Sequence, residues 1–353
     1  MSATRITFLE GQDEQPQALE RIAARVRRQL AHSALPPLRT ARRPLLTGIG
    51  ASHAALAVPV DLLRTAGVSA QRVLADEIAD KPRGFDADVL IGVSQGGRST
   101  ETIAAFQAMS GVHRVAVLNV ARSPLGDLAD LVLDLGNEPD SYASTIGFTG
   151  TIVALDLLAA AIGGRSGDDP WLGIGAAVEQ VRLRAADAVA GLPAGASRCT
   201  AVDVVASGAS RAAAEEGALL LREVPRIPSA ASATRNYLHG EMESAGGTLH
   251  LLLGDGREVE AARTLAGAGH PTLLVTTRAV EPAPALSVVR LPASPPGPRV
   301  VLETVVIQEL AAALAQQRGV PIESFVFAND DTKQGGVDPG DFAISSPTLT
   351  GDN

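Results

Sequence analysis

Cysteine, lysine and aromatic residues are the scarce residue types of this 353-residue chain. The one cysteine, Cys199, leaves no partner for a disulfide within the chain and is typical of proteins from a reducing compartment. Aromatic residues make up 3% of the sequence, so the hydrophobic core has to consist mainly of alanine, valine and leucine. The only lysines are Lys81 and Lys333, so chemistry that needs an amine has few candidates.

The sequence also lacks an excess of positive charge and a long hydrophobic run. Its net charge of -9, with acidic residues spread along the chain, argues against a nucleic-acid partner, for which a basic patch would be needed. The first six residues lack the apolar core of a signal peptide, and no uninterrupted apolar stretch reaches membrane-spanning length. We therefore expect a cytoplasmic protein with neither a nucleic-acid nor a membrane partner.

Strand-like apolar runs and helical patterns alternate along the whole chain, which predicts an α/β fold with parallel sheets covered by helices. Its hydrophobic content of 46% is that of a globular protein, and its length indicates two domains. We predict an N-terminal segment and helix over residues 1–35, a first domain over 36–165, a second domain over 166–320 and a C-terminal tail over 321–353.

The two halves of the chain share short motifs in the same order. The sequence Gly-Ala-Ser-x-Ala-Ala occurs at 50–55 and again at 208–213, each time after a predicted strand. We infer a duplication of one α/β unit. The halves differ at a later turn, because residues 254–258 carry two carboxylates and no hydroxyl where the first half is rich in hydroxyls. Such a turn would repel a phosphate, so the first half alone is expected to bind an anion.

Residues 94–99, Ser-Gln-Gly-Gly-Arg-Ser, form the hydroxyl-rich turn of the first half, between an apolar strand and a predicted helix. Free backbone N–H groups and the positive end of a helix dipole suit a phosphate dianion. The turn contains no lysine and is not a Walker loop. Because ligands bind at the carboxyl ends of parallel strands, the turn ending at Ser52 is expected beside it. An ordinary helix N-cap at Ser99 is the alternative explanation.

Two further stretches carry candidate chemistry. Glu216, Leu220 and Glu223 share one helix face, where partly apolar surroundings would raise a carboxyl pKa toward the range of a general base; a solvated or salt-bridged glutamate is the alternative. His239 lies between a leucine and a glycine in an irregular polar segment. The histidines have no metal-ligand spacing and Cys199 is isolated, so we expect no metal and no cofactor.

A serine hydrolase is the competing hypothesis. Residues 92–96 fit the Gly-x-Ser-x-Gly nucleophile elbow, with Ser94 as nucleophile and His239 as its base. No oxyanion-type His-Gly-Gly-Gly follows an earlier strand, and the hydroxyls of Ser99 and Thr100 would have no purpose. Phosphate binding is therefore favoured.

As an ordered set, these motifs resemble those of the double sugar-isomerase (SIS) family, which includes the isomerase half of glucosamine-6-phosphate synthase and free-standing sugar-phosphate isomerases and deaminases. The resemblance extends over residues 8 to 320. It is carried by Glu-Gln-Pro at 14–16, Gly-x-Gly-Ala-Ser at 48–52, Ser-Gln-x-Gly-x-Ser at 94–99, Glu-Gly-Ala-x-x-x-x-Glu at 216–223 and His-Gly at 239–240. It implies two SIS-type domains, each a three-layer αβα unit of flavodoxin-like type.

The resemblance also implies roles for individual residues. Those implied to bind the substrate and its phosphate are Gly50, Ser52, Ser94, Gln95, Gly96, Ser99 and, near the sugar, Ser144. Glu223 would move a proton between C1 and C2, and His239 would open the sugar ring from the partner subunit of a homodimer with shared active sites. Lys333 is the nearest match to the synthase's imine-forming tail lysine, but it is out of register, and a solvated tail residue is the favoured interpretation.

Three features differ from the synthase. Gly96 replaces a phosphate-binding serine, Ala51 replaces a common threonine, and the glutamine-hydrolysing domain is absent from this sequence. We expect a sugar-phosphate aldose-ketose isomerase or an amino-sugar-phosphate deaminase acting at C1 and C2 of a hexose phosphate. The alternative is a non-catalytic sugar-phosphate sensor.

Overall fold

The computed structural model describes residues 5–32, 36–165, 167, 169–193, 195–323, 325–327 and 329–336. Ten strands in two sheets and a set of flanking helices account for most of these residues. The helices are α1 (Phe8–His32), α2 (Pro36–Arg39), α3 (Ala51–Ala55), α4 (Ala57–Thr65), α5 (Ala75–Asp80), α6 (Thr100–Ala108), α7 (Pro124–Leu128), α8 (Ile146–Gly163), α9 (Ile174–Ala190), α10 (Arg211–Glu223), α11 (Thr234–Leu238), α12 (Arg257–Gly267) and α13 (Pro296–Arg318).

Each sheet has five parallel strands in the same order. The first contains β1 (Pro44–Gly48), β2 (Gln71–Leu74), β3 (Val89–Ser94), β4 (His113–Leu118) and β5 (Leu131–Asp134), arranged β2-β1-β3-β4-β5. The second contains β6 (Ala201–Ala206), β7 (Ser229–Ala233), β8 (Thr248–Leu253), β9 (Thr272–Thr276) and β10 (Leu286–Arg290), arranged β10-β9-β8-β6-β7. Numbered within its own domain, either order reads 2-1-3-4-5, the flavodoxin-like arrangement. The predicted fold class is confirmed.

The central strands are buried on both faces, as the continuous apolar runs predict. Every residue of β3 and of β8 is buried. Where a helix crosses closely, a glycine provides the space: a Cβ at Gly92 would lie 2.3 Å from the ring of Phe106, and one at Gly217 would lie 2.7 Å from Ile307. Alanine, valine and leucine dominate the core, which the composition predicted.

The two sheets share one continuous hydrophobic core, to which α1, α8, α9, α10 and α13 contribute. Among them, α8 is the one helix of the described chain that is long and apolar enough to cross a membrane, although 78% of it is buried inside the fold. It is therefore a core helix. A bidentate ion pair at 2.6 Å also joins Arg72 on β2 to Glu215 on α10. The helix that carries the candidate base Glu223 therefore contacts the first domain.

Candidate functional site

The hydroxyl-rich turn lies where the sequence predicts it, between β3 and α6. Ser99 is the N-cap of α6, and its hydroxyl oxygen lies 3.4 Å from the Thr102 amide that donates to it. Gly97 has φ +62°, and a Cβ there would lie 2.0 Å from the Ser123 hydroxyl. The N-cap interpretation of Ser99 is therefore correct, and glycine is required two residues before it.

A cavity of about 370 Å³ opens at this turn. It lies between the carboxyl ends of β1 and β3, the switch point at which ligands bind in flavodoxin-like sheets. The residues predicted for the substrate that line it are Ser52, Ser94, Gln95, Gly96, Ser99 and Ser144, together with the catalytic candidate Lys333. Gly50 is the N-cap of α3, two residues before Ser52, and does not contribute to the described lining.

Asp140 is a residue of this cavity that the sequence analysis missed. Its side chain is 2% exposed and accepts hydrogen bonds from Gln95 Nε2 at 2.9 Å, Ser144 Oγ at 2.7 Å and the Thr145 amide at 3.0 Å. Burial raises the pKa of Asp140 above its ordinary value, although the hydrogen bonds from Ser144 and Thr145 oppose the rise. The carboxyl group thus fixes the orientation of two predicted substrate-binding side chains. Only its place in the polar loop after β5 hinted at this role.

The cavity carries charges of both signs. Arg5, Arg98 and Lys333 line it, and so do the carboxyl groups of Glu101 and Asp140. The three cationic side chains outnumber the two carboxyl groups. A phosphate dianion is compatible with such a lining.

The C-terminal segment is bound to the turn rather than lying in solvent. Lys333 forms an antiparallel bridge with Ser99, and the Gln334 amide donates to the Arg98 carbonyl at 2.8 Å. The Arg98 guanidinium donates to the carbonyls of Gln334 at 2.9 Å and of Gly336 at 2.7 Å. Lys333 is half-buried at the edge of the cavity. Its interpretation as a solvated tail residue does not describe this placement.

Glu223 lies outside the serine-lined cavity. It ends α10 and lines a neighbouring cavity of about 390 Å³ together with Arg222, Arg226 and Phe327. Phe325 lines both cavities, so they meet at this residue. Burial raises the pKa of Glu223 to about 7, the effect that the sequence predicted from apolar surroundings.

Glu216 lies about two turns before Glu223 on α10 and is 1% exposed. Its Oε2 atom has no hydrogen-bond partner among the described residues. Burial, together with the nearby charges of Glu223 and Asp140, raises the pKa of Glu216 well above its ordinary value. Glu216 is therefore within electrostatic range of both cavities.

His239 lines neither cavity. It is the C-cap residue of α11, with its side chain exposed on the surface. The structure therefore does not bring His239 to Ser94 within one chain, as a serine hydrolase would require. A role at the site of another subunit is compatible with this exposure.

At the corresponding turn of the second domain, which lines a cavity of about 420 Å³, internal carboxylates accept the available hydrogen bonds. Glu258 accepts hydrogen bonds from Ser207 Oγ, Thr234 Oγ1 and the Gly256 amide, and the Ser210 hydroxyl donates to Glu303. Hydroxyls are thus present near this turn, contributed by neighbouring elements, but internal carboxylates accept their hydrogen bonds. In the described part of the chain, no group of three or more His, Cys, Asp and Glu side chains is arranged to hold a metal ion.

Known proteins with similar sequences and structures agree with this geometry. Residues 37–161 match the SIS domain family. The C-terminal domain of glucosamine-fructose-6-phosphate aminotransferase from Francisella tularensis superposes with a TM-score of 0.77 at 18% identity, covering 90% of this chain and 97% of that one. Tagatose-6-phosphate ketose/aldose isomerase from Escherichia coli gives a TM-score of 0.75 at 17% identity, covering 91% and 96%.

A third solved structure, glucosamine-6-phosphate deaminase from Thermotoga maritima, has a TM-score of 0.67 at 17% identity and covers 87% of this chain and 96% of that one. No curated protein sequence matches this chain. The resemblance inferred from the motifs is confirmed. Residues 37–161 thus match the SIS domain family, and the chain as a whole has the two-domain fold of these solved structures.

Proposed function

We propose that this protein acts on a hexose phosphate at C1 and C2, as an aldose-ketose isomerase or as a deaminase that releases ammonia from an amino-sugar phosphate. The observation that carries the proposal is the cavity at the β1/β3 switch point, lined by Ser52, Ser94, Ser99 and Ser144. Structural neighbours named as a ketose/aldose isomerase and a deaminase support this range of reactions. A homodimer in the cytoplasm, with shared active sites, is part of the proposal.

The hydroxyls of the cavity and the N-terminus of α6 would hold the phosphate. Ser94 ends β3 and Gln95 follows it directly, so a central strand fixes their positions, and Ser52 comes from the neighbouring turn after β1. Donors held in place by rigid elements lose little entropy when the ester binds. The phosphate would thereby fix the sugar carbons at a constant distance from the turn.

Glu223 would be the base that moves the proton between C1 and C2. With a pKa of about 7, the carboxyl group is present in both protonation states near neutral pH, so it can accept a proton from one carbon and return it to the other. The sugar would extend from the serine-lined cavity past Phe325 to reach Glu223. His239 of the partner subunit would open the ring, and Lys333, at the cavity edge, is the remaining catalytic candidate.

A non-catalytic sugar-phosphate sensor is the second candidate function. It is favoured by the position of Glu223, which lines a different cavity from the serines. A sensor needs only the first of the two cavities. The glycine at position 96, which offers no hydroxyl to the phosphate, points the same way.

Exchange of the C2 proton with solvent deuterium distinguishes the two functions. A panel of hexose 6-phosphates and amino-hexose 6-phosphates would be incubated in heavy water and followed by NMR. The proposal expects exchange with the wild-type protein, at least a hundredfold slower exchange for Glu223→Gln, and unchanged ligand binding for that variant. The exposed Glu241→Gln serves as the matched control. Binding without exchange over the whole panel would establish the sensor, and equal exchange in Glu223→Gln would remove Glu223 from the mechanism.

A further inference from the structure

The helix that precedes His239 is tied to the second domain at both of its ends. At the first residue of α11, Thr234 donates a hydrogen bond to Glu258. Near its last residue, the Tyr237 hydroxyl lies 2.7 Å from Nδ1 of His250 on β8. Because α11 is a single short turn, these two contacts fix its position and its rotation. His239 caps this helix, and its amide donates to the Asn236 carbonyl at 2.9 Å.

The Tyr237–His250 contact is buried inside an otherwise apolar cluster. Both side chains are 0% exposed, and the cluster around them includes Val205, Leu252 and Leu274. The Asp203 carboxylate lies 3.6 Å from His250 Nδ1. Burial raises the pKa of the Tyr237 hydroxyl, and the charge of Asp203 raises it further. The tyrosine is therefore a neutral hydrogen-bonding group near neutral pH.

Packing alone does not account for these polar residues. His250 Nε2 and Asp203 Oδ2 are buried and have no hydrogen-bond partner within the described chain. Unpartnered buried polar atoms reduce stability, and apolar side chains of the same size would avoid that loss. The polar groups fix the orientation of the Tyr237 ring, because a hydrogen bond allows one orientation whereas an apolar contact permits several.

We propose that Tyr237, held by His250, is a positioning residue that fixes the place at which His239 is presented on the surface. The inference rests on the proposed function in one respect, since it takes His239 to be the group that opens the sugar ring. A histidine that acts at a site on another subunit has to be held in the right position by its own chain before the substrate binds. Holding it rigidly therefore favours the reaction. Tyr237 acts on the reaction only through the backbone of α11.

The first test measures geometry without any reaction. Tyr237→Phe removes the hydroxyl alone, and Thr304→Val, which loses a buried hydroxyl on α13 bonded to the Val300 carbonyl at 2.8 Å, is the matched control. Amide hydrogen exchange at His239 and Gly240 should become about tenfold faster in Tyr237→Phe and should not change in Thr304→Val. Equal exchange in Tyr237→Phe and the wild-type protein would overturn the proposal.

The second test separates positioning from a general loss of structure. With a ring-forming hexose 6-phosphate, Tyr237→Phe should lower kcat about tenfold with KM unchanged, because binding does not use His239. Binding of an acyclic hexitol 6-phosphate, which has no ring to open, should stay the same. The double variant with His250→Gln should lose no more activity than Tyr237→Phe alone.

The outcomes are distinguishable. Weaker hexitol phosphate binding in Tyr237→Phe, or additive losses in the double variant, would overturn the positioning role. If the wild-type protein turns over no sugar phosphate, the proposed function fails instead, and the amide exchange at His239 alone then decides whether Tyr237 fixes this segment.

Discussion

Replacing Glu223 by glutamine should make the stability of this protein less sensitive to pH. Burial raises the pKa of this carboxyl group in the folded chain from its ordinary 4.5 to about 7. A group with a raised folded pKa contributes fully to stability below its unfolded pKa, and the contribution is lost as the pH rises through the folded pKa. The loss therefore begins near pH 4.5 and levels off above pH 7.

The size of the effect follows from the two pKa values. The difference between them corresponds to about 3 kcal/mol of unfolding free energy when fully developed. About 2 kcal/mol of this loss develops between roughly pH 5.5 and 8.5. Glutamine has no charge to bury, so Glu223→Gln should lack this part of the pH dependence. The variant should gain stability relative to the wild-type protein as the pH rises.

Urea unfolding of both proteins, followed by circular dichroism at about pH 5.5 and about pH 8.5, measures the difference. The exposed Glu260→Gln on α12 controls for the general effect of removing one negative charge from an acidic protein. If Glu223→Gln and the wild-type protein lose the same free energy of unfolding between the two pH values, Glu223 is not the buried carboxyl group described here, and its suitability as a general base is lost as well.

Three further predictions concern the turn and one buried carboxylate. Gly97→Ala should abolish binding of inorganic phosphate measured by calorimetry, because the new Cβ would meet Ser123, whereas phosphate binding that survives would show that the turn tolerates a side chain. Arg98→Ala removes two hydrogen bonds to the C-terminal segment and should speed amide exchange over residues 329–336 about tenfold; unchanged exchange would mean that other contacts hold the segment. Asp156→Asn should destabilise the protein by about 3 kcal/mol, because the ion pair with Arg165 is lost. Urea unfolding followed by Trp171 fluorescence should show a lower midpoint, and an unchanged midpoint would contradict the prediction.

The central strands and their helices could be predicted from the sequence because their signals are local. The structure has β6, α10, β8 and β9 where strand-like apolar runs and helical patterns alternate in the sequence. Two edge strands, β7 and β10, were not predicted. The first is built of alanine and serine and has no apolar pattern, and the second is a short apolar run inside a proline-rich stretch, which argues against a strand.

The sequence predicted those parts of the site whose contacts are local. Ser94, Gln95 and Ser99 belong to one turn, and Ser52 comes to it through the topology of parallel sheets. The role of Asp140 and the bridge between Lys333 and Ser99 depend on contacts between distant parts of the chain. Composition and motif spacing do not predict such contacts. The exposure of His239 likewise could not be read from its neighbours in sequence.

The hydrogen bonds that Glu258 accepts at the second domain's turn affect how many ligands one chain can bind. Glu258 is covalently part of the helix whose N-terminus it faces, so its effective concentration there far exceeds that of any free phosphate in a cell. A dissolved anion would have to displace this tethered carboxylate. We therefore expect one phosphate ester to bind per chain, at the turn of the first domain.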